Sequence, residues 1–471
     1  MPTILGANTL SGYDVDNSLR FNYDSSDYLN KTLGTATNRK IFTISMWVKR
    51  SELYGVNSET KYLMSAGNNA STNIDEFYFR HDTLDFSGYE SSTTEFQLRT
   101  NAVFKDLSAW YHVVVAYDST QGTASNRIKM YVNGSQITSF STETYPDQNH
   151  EPLFNSNIAH EIGRNTDARY FDGYITEVVF IDGQALAPTS FGEFDEDTPN
   201  VWKPIDVSGL TFGNNGFYLD FENASSLGAE VSGNSNNFTV NNLTSVDQST
   251  DTCTNNFCTL NPLDLSRLSN DGTTFSEGNL AMIDGSSNYA VGTGTLAVTQ
   301  GKWYWEIKIV ASGNQHTASG VVAVDLDGWT RADGAANSAY GWLYAFDGDK
   351  INNDSSTSYG DTYGANDIIG VALDMDNKAI YFSKNGTFQA SGDPTSGASK
   401  TNAAFTNLTG TMTAQVYDGQ GAYAHEFSAN FGSPAYSISS GNSDANGHGN
   451  FEYSVPSGYF ALNTKNIAEF G

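Results

Sequence analysis

Two stretches of the sequence carry acidic side chains at a spacing that could support chemistry. In GEFDED, Glu193, Asp195 and Asp197 alternate, which approaches the E-x-D-x-(x)-E pattern of carboxylates that act as acid and base in glycoside hydrolysis. The third carboxylate is Asp rather than Glu, and Thr-Pro follows the stretch directly. We therefore interpret it as an exposed acidic turn, and we predict no catalytic residue there.

The second stretch, FDGDKINND, spaces oxygen atoms as a calcium-binding loop would. Its candidate ligands are Asp347, Asp349, Asn352 and Asp354. Lys350 lies among them, and no distal Glu completes an EF-hand. Calcium is therefore the one cofactor that the sequence leaves open, beside the simpler interpretation of a polar turn. No other cofactor is expected.

The segment DGWTRADGAANSAYGWLYAFDGD holds the densest group of rings that could stack on a sugar or anchor a protein interface. The candidate ligand-binding residues are Trp329, Tyr340 and Trp342, with Tyr344 close by. If YGWLYAF is a strand, alternation turns about half of its rings toward the core. Trp329 lies between turn residues, so it is the leading surface candidate.

The remaining reactive residue types form no catalytic or metal-binding pattern. The seven histidines lack paired metal spacing, and His112 in WYHVVVAY is predicted to be a strand residue packed beneath a loop. Cys253 and Cys258 allow one local disulfide or two free thiols. We expect free thiols, because the start MPTILGANTLSG lacks the features of a secretion signal. No phosphate-binding glycine-rich loop is present, and we predict that the protein is not an enzyme.

The charge balance excludes several classes of partner. The chain has 53 acidic and 24 basic residues among 471, a net charge of −29. Such a surface repels phosphate backbones and anionic membranes, so no nucleic-acid partner is expected. No apolar run approaches the length of a membrane helix, so no membrane insertion is expected either.

Short alternating segments separated by turn-rich stretches indicate the elements that must hold these residues. They include FTISMWVKR, WYHVVVAYD, GKWYWEIKIV and DIIGVALDMD, and no long helical periodicity is present. This pattern predicts an all-β protein. Its length favours two domains, which we place at 1–222 and 271–471. The Asn-, Ser- and Thr-rich stretch 223–270 is predicted to connect them, and NFTVNNL within it could add an edge strand.

The same turn signal occurs once in each predicted domain. Asn133-Gly134 follows IKMYV, and Asn385-Gly386 follows AIYFSK. Asn-Gly readily supplies the two positive φ angles of a type I′ hairpin turn. We therefore predict that both pairs are structural turns of two similar sandwiches rather than ligand contacts.

The motifs also carry a resemblance to known families. The first block resembles the laminin G-like branch of the concanavalin A-like jelly rolls through FTISMWVKR, AWYHVVVAYD with IKMYVNG, and YFDGYITEVVFIDGQALAP. The second resembles a SPRY domain through GKWYWEIKI, DIIGVALDMDNKAIYFSKNGTF and SANFG. The resemblance implies two concanavalin A-like β-sandwiches in tandem, and it implies that the FDGDKINND loop is a turn between strands.

The order of the two domains, with the ending PSGYFALNTKN, is similar to virion structural proteins of tailed phages. Cys253 and Cys258 depart from the residues expected in such relatives. The resemblance implies a non-enzymatic decoration, knob or tail-appendage module that is located on the virion and forms oligomers there. It would contact a host-surface glycan or other virion proteins. A glycan-degrading depolymerase and a purely architectural capsid or tail protein are the alternatives.

Overall fold

The computed structural model describes residues 12–53, 60–69, 72–264, 273–283, 290–311, 317–326, 338–419 and 425–471. Strands account for 45% of the chain and helices for 5%, which confirms the all-β prediction. Contacts divide the chain into a first unit, Leu10–Thr254, and a second unit that includes Asn255–Gly471. Within the described ranges, no helix is both long and apolar enough to cross a membrane.

Strands are numbered in chain order. In the described part of the first unit, two eight-stranded antiparallel sheets enclose one core. Sheet I has the order β10-β9-β8-β3-β13-β1-β18, and β16 also pairs with β13. Its strands are β1 (Ser18–Phe21), β3 (Ile41–Arg50), β8 (Trp110–Asp118), β9 (Ile128–Val132), β10 (Ser135–Gln136), β13 (Gly173–Asp182), β16 (Phe217–Leu219) and β18 (Gln248–Ser249).

Sheet II has the order β11-β7-β6-β5-β4-β12-β2-β17. Its strands are β2 (Tyr28–Thr32), β4 (Lys61–Asn69), β5 (Asn73–Arg80), β6 (Thr83–Glu90), β7 (Thr93–Val103), β11 (Phe140–Thr144), β12 (Ala159–Ile162) and β17 (Thr239–Asn241). A separate hairpin pairs β14 (Gly192–Phe194) with β15 (Trp202–Pro204). Two short 3₁₀ helices, Ala124–Asn126 and Pro188–Ser190, lie in the connecting loops.

Alternation along most strands gives each sheet one core face and one outer face, and β-bulges interrupt it in strands such as β4 and β13. In β3, Phe42, Ile44, Met46 and Val48 point into the core. In β5 and β6 the core positions include Phe77 and Phe86. Successive side chains of a strand point to opposite faces, so the residues between these positions face away from the core.

The described part of the second unit also packs two sheets around one core. Sheet III has the order β19-β20-β31-β22-β27-β28-β29, with β32 parallel to β22. It comprises β19 (Thr274–Ser276), β20 (Ala281–Ile283), β22 (Lys302–Ala311), β27 (Ile368–Asp374), β28 (Ala379–Lys384), β29 (Thr387–Phe388), β31 (Glu426–Asn430) and β32 (Phe460–Ala461). Sheet IV, of order β21-β30-β23-β24-β25-β26, comprises β21 (Ala290–Val298), β23 (Thr317–Ala323), β24 (Gly341–Ala345), β25 (Asp349–Asn352), β26 (Ser355–Ser358) and β30 (Met412–Asp418).

The chain after β31 runs across the outer face of sheet III. Glu306 of β22 is buried there and accepts hydrogen bonds from the backbone N–H groups of Glu452 (2.9 Å) and Tyr453 (2.8 Å). The phenol of Tyr304 also donates to this carboxylate (3.1 Å). Two 3₁₀ helices, Gln389–Ser391 and Pro394–Ser399, and the terminal helix α1, Thr464–Phe470, complete the described elements of the unit.

The predicted connection 223–270 is divided between the units rather than forming a separate joint. Residues 239–241 form β17 at one edge of sheet II, and residues 248–249 form β18 at one edge of sheet I. The predicted edge strand in NFTVNNL is therefore present. The first unit continues to Thr254 because this polar segment supplies backbone hydrogen bonds to both sheets, which its composition does not reveal.

Both Asn-Gly pairs adopt the predicted turn. The φ angles are 46° at Asn133 and 76° at Gly134, and 49° at Asn385 and 78° at Gly386. Positive φ at both central positions is the signature of a type I′ turn.

Candidate functional site

The aromatic residues predicted as ligand contacts contribute mainly to the second core. Trp342 is 1% exposed, faces that core, and donates its indole N–H to Asn407 Oδ1 (3.2 Å). The prediction that Trp342 binds a ligand is therefore wrong, because alternation along β24 turns its ring inward. Tyr340 is half-buried against the same core. Trp329 lies outside the described residues.

The acidic stretch 347–354 contains β25 and the turn that joins it to β26. Asn353 and Asp354 have φ angles of 53° and 61°, as in a type I′ turn. Asn352 donates its amide to a backbone carbonyl of β24 (2.8 Å). In the residues that the structure describes, no three His, Cys, Asp or Glu side chains group as a metal site. Calcium binding by Asp347, Asp349, Asn352 and Asp354 stays a prediction.

The carboxylates of GEFDED stabilise the 192–204 hairpin. Asp195 is 5% exposed, lies 3.1 Å from Lys203 Nζ, and accepts from the backbone N–H groups of Asp197 (3.0 Å) and Thr198 (2.9 Å). Glu193 is exposed and lies 3.5 Å from the same ammonium group. The expected exposed turn is therefore wrong for Asp195, which closes the turn as a buried acceptor.

His112 is buried beneath this hairpin, as the sequence predicted. Trp202 donates its indole N–H to His112 Nδ1 (2.9 Å), so Nε2 carries the proton that His112 donates to Ser45 Oγ (2.8 Å). Burial lowers the pKa of His112 to about 3. The imidazole is therefore neutral and structural.

Neither cysteine takes part in a disulfide. Cys253 falls in the first unit and Cys258 in the second. Burial raises the pKa of the Cys253 thiol well above its usual value, and the nearby Glu177 adds to the shift. The thiol therefore stays protonated at neutral pH.

The outer face of sheet II carries a row of polar residues, and we call it the polar face. One residue from each of its eight strands lies directly opposite the next, and every one is polar. From edge to edge, the row comprises Thr239, Asn30, Glu161, Ser65, Glu76, Ser87, Gln97 and Thr144. With strands about 4.8 Å apart, the row extends over roughly 34 Å. Its four central members, Glu161, Ser65, Glu76 and Ser87, are buried, so the accessible groups lie at its two ends.

Three half-buried tyrosines stand at the β2 end of this row, and we call them the aromatic corner: Tyr23, Tyr28 and Tyr170. The ring of Tyr170 lies 6.1 Å from that of Tyr23 and 6.3 Å from that of Tyr28. The Arg164 guanidinium lies 3.6 Å from the Tyr28 ring centroid. It also donates to both carboxylate oxygens of Glu161 (3.0 and 2.6 Å), which fixes the corner against the polar row.

Glu76 lies in the middle of the row and is 5% exposed. Its Oε1 accepts from the amide of Asn165 (2.9 Å). Burial raises the pKa of Glu76 to about 7, and the hydrogen bond from Asn165 opposes that shift. Near neutral pH this carboxyl group therefore exists in both protonation states, so it can donate or accept a hydrogen bond.

A second polar cluster occupies the adjoining positions toward β7. Arg99 Nε donates to Asp85 Oδ2 (2.6 Å), and the Gln97 amide donates to both Asp85 oxygens (3.3 and 3.1 Å). The stacked rings of Tyr62 and Tyr78, 4.9 Å apart, separate this cluster from the aromatic corner. Both rings are buried, so they support the face rather than offer a ring to a ligand.

Half-exposed rings beside hydroxyl, amide and carboxylate groups can hold a ring-shaped ligand with many hydroxyls. The polar face is not evident from the sequence, because its members come from eight strands spread over residues 30–239. The alternation in EFYFRH and EFQLRT does show which residues face outward. The register that aligns them into one row depends on strand pairing.

Two family models match parts of the chain. Residues 15–189 match "Concanavalin A-like lectin/glucanases superfamily", and residues 302–422 match "SPRY domain". These matches confirm the two predicted domain types. Seven of the eight residues of the polar row fall inside the first match, and Thr239 lies beyond it.

Individual proteins show similarity to parts of the chain. An E3 ubiquitin-protein ligase RKP of Arabidopsis thaliana is 31% identical over 91 residues, which are 19% of this chain and 7% of that protein. The solved SPRY domain of human HERC1 is 21% identical, with 32% of this chain and 87% of that one covered and a TM-score of 0.26. A solved putative carbohydrate binding protein from Bacteroides ovatus is 16% identical, with coverages of 49% and 59% and a TM-score of 0.33.

Proposed function

We propose that this protein is a non-enzymatic binding protein whose first unit holds an oligosaccharide on the polar face. The observation that carries the proposal is the aromatic corner, which stands beside the accessible β2–β17 end of the polar row of sheet II. Tyr28 and Tyr170 supply half-exposed rings for the C–H face of a sugar. Beside these rings, the half-buried Asn30 and the exposed Thr239 supply an amide and a hydroxyl group for hydrogen bonds to the sugar.

The charged side chains of the polar face are largely paired with one another, which favours an uncharged ligand. Glu161 is neutralised by Arg164, and Asp85 is neutralised by Arg99. Glu76 is the remaining carboxyl group of the row, and it is half-protonated near pH 7. A neutral glycan therefore meets hydrogen-bonding groups whose charges are already balanced.

The test is binding to a glycan array by the full chain and two variants. Tyr28→Ala removes a ring of the aromatic corner and should reduce array binding at least tenfold. Tyr340→Ala removes another half-buried tyrosine, from the second unit, and should leave binding unchanged. Loss of binding in Tyr340→Ala alone would instead place the ligand on the second unit, as the sequence analysis predicted.

One observation favours hydrolysis as a second candidate function. Glu161 and Glu76 lie in the same row with only β4 between them, so their backbones are roughly 10 Å apart. Inverting glycosidases hold their two carboxyl groups about 6.5–9.5 Å apart, a distance that side chains on these two backbones can span, and the pKa of Glu76, about 7, suits a general acid. Release of reducing ends from a bound glycan, abolished in Glu76→Gln, would replace the non-enzymatic proposal with this depolymerase activity.

We further propose that the protein is located on a tailed-phage virion, as a decoration, knob or tail-appendage module that contacts other virion proteins and forms oligomers on the particle. The support is the order of the two domain types together with the PSGYFALNTKN ending. Mass spectrometry of purified particles tests it, and absence of the chain would overturn it. A silent glycan array together with loss of particle stability on deletion would favour a purely architectural role.

A further inference from the structure

A cleft lies in the first unit, on the outer face of sheet I, where β8 and β9 meet their connecting loop. It has a volume of about 320 Å³ and is lined by Ala116, Asp118, Asn126, Lys129, Tyr131 and Leu186, among others. Sheet I is the sheet opposite the polar face, so this cleft is a separate feature.

One wall of the cleft is fixed and apolar. Leu186 donates its backbone N–H to Thr43 Oγ1 (2.8 Å), and the Thr43 hydroxyl donates to Gln184 O (2.8 Å). Leu186 and Tyr131 both pack against the apolar cluster on the outer face of sheet I. The Tyr131 ring is therefore held at a constant position, with one part still accessible from the cleft.

The floor of the cleft is open because an alanine lies opposite a lysine there. Ala116 lies directly opposite Lys129 in the β8–β9 ladder. The alanine methyl group leaves the space between Tyr131 and Lys129 unfilled. Burial raises the pKa of Tyr131, so its hydroxyl keeps its proton and can donate a hydrogen bond.

Hydrogen-bond donors prevail in the cleft. The Lys129 ammonium and the Asn126 side-chain amide have no hydrogen-bond or ion-pair partner in the described part of the chain. Asp118, the acidic residue of the lining, already accepts three bonds: two from Thr120 at Oδ1 (3.0 and 2.6 Å) and one from Gln121 at Oδ2 (2.5 Å). An unpaired cation remains in a chain whose net charge is −29.

We propose that this cleft binds one carboxylate-bearing sugar residue, a uronate. The sugar ring would lie against Tyr131 over Ala116, and its carboxylate would meet the Lys129 ammonium and the Asn126 amide. Aromatic wall, small floor and unpaired cation together select a charged ring over a free inorganic anion, which would gain nothing from the wall. The inference does not depend on the glycan proposed for the polar face.

The experiment measures binding of trigalacturonic acid and of its fully methyl-esterified form by titration calorimetry, with a chelator present to remove calcium. The ester carries the same rings without charge. The full chain is compared with Lys129→Gln, and with Lys31→Gln as a control that removes an equal charge from β2. Thermal melting of each variant confirms that it is folded.

We expect the acid to bind at least tenfold more tightly than the ester, and Lys129→Gln to abolish that difference while Lys31→Gln retains it. Equal binding of acid and ester, no binding of either, or an unchanged preference in Lys129→Gln would overturn the inference. If the preference survives in Lys129→Gln but is lost in Tyr28→Ala, the uronate binds at the polar face. That outcome would overturn this inference and leave the proposed glycan binding intact.

Discussion

Asn133 and His112 exchange two hydrogen bonds at the end of the first Asn-Gly hairpin: Asn133 N donates to His112 O (2.9 Å), and His112 N donates to Asn133 Oδ1 (2.8 Å). Asn385 and Ile368 form the same pair in the second unit, with distances of 2.8 and 2.9 Å. The asparagine side-chain oxygen thus takes the place of a backbone carbonyl and extends the β8–β9 ladder, and likewise the β27–β28 ladder, by one residue into the turn. The repeated sequence signal corresponds to a repeated hydrogen-bond arrangement.

Gly134→Ala should destabilise the first unit strongly. An added Cβ would lie 2.4 Å from the Trp202 ring, and the φ of 76° is unfavourable for a side chain. We expect a loss of about 2–4 kcal/mol in the free energy of unfolding, measured by chemical denaturation. Gly209→Ala is the control, since nothing lies within 4 Å of its added Cβ. Equal stability of the two variants would contradict the packing of Trp202 on this turn.

His112→Phe should also destabilise the first unit. The change leaves the buried Trp202 N–H and the Ser45 hydroxyl without their common partner, which costs about 2–4 kcal/mol for the two groups. Ser45→Ala removes only one of these hydrogen bonds and should cost about 1 kcal/mol. Chemical denaturation followed by tryptophan fluorescence measures both. A smaller loss in His112→Phe than in Ser45→Ala would show that the imidazole does not join the two.

Glu177→Gln should change the dependence of stability on pH. Burial raises the pKa of Glu177 from 4.5 to about 8, while Tyr218 donates to both its oxygens (2.8 Å). Because the folded-state pKa lies above the unfolded value, the stability contributed by this group is full below pH 4.5 and is lost as pH rises toward 8. Between pH 5 and 8.5 the loss is on the order of 4 kcal/mol.

Denaturation of the wild-type chain and of Glu177→Gln across this pH range checks the expectation. The variant should lose less stability on going from pH 5 to 8.5, because its amide does not titrate. His112 acts in the opposite direction, since its folded-state pKa of about 3 lies below 6.5 and its stability contribution is lost as pH falls through that interval. Parallel pH profiles for the two proteins would show that Glu177 is not buried as an acid.

Glu306→Ala should release the chain segment that crosses sheet III. The change removes the acceptor of the Glu452 and Tyr453 N–H groups. We expect faster amide hydrogen exchange and faster proteolysis around residues 452–453. Glu426→Ala, at the first residue of β31, is the control. Equal exchange in the two variants would mean that other contacts hold the segment.

The fold was largely predictable because the alternation of apolar and polar residues within single strands indicates it. FTISMWVKR and GKWYWEIKIV show their core-facing sides directly, and Asn-Gly specifies its own turn. The ligand-binding site was not predictable from the sequence, because the sequence alone does not indicate whether a ring such as that of Trp342 faces solvent or the core. The polar face depends on the strand register. The Lys129 cleft depends on Lys129 having no partner among the residues that the structure describes. Both properties involve residues distant in sequence.

The strands β17 and β18 have a practical consequence for dissecting the chain. They cover the outer edges of β2 in sheet II and β1 in sheet I. A fragment ending at residue 222 would leave both edges bare, with unpaired backbone groups that can recruit another molecule. Such a fragment would aggregate or swap strands between copies, whereas one that continues to Thr254 keeps both sheets closed at these edges.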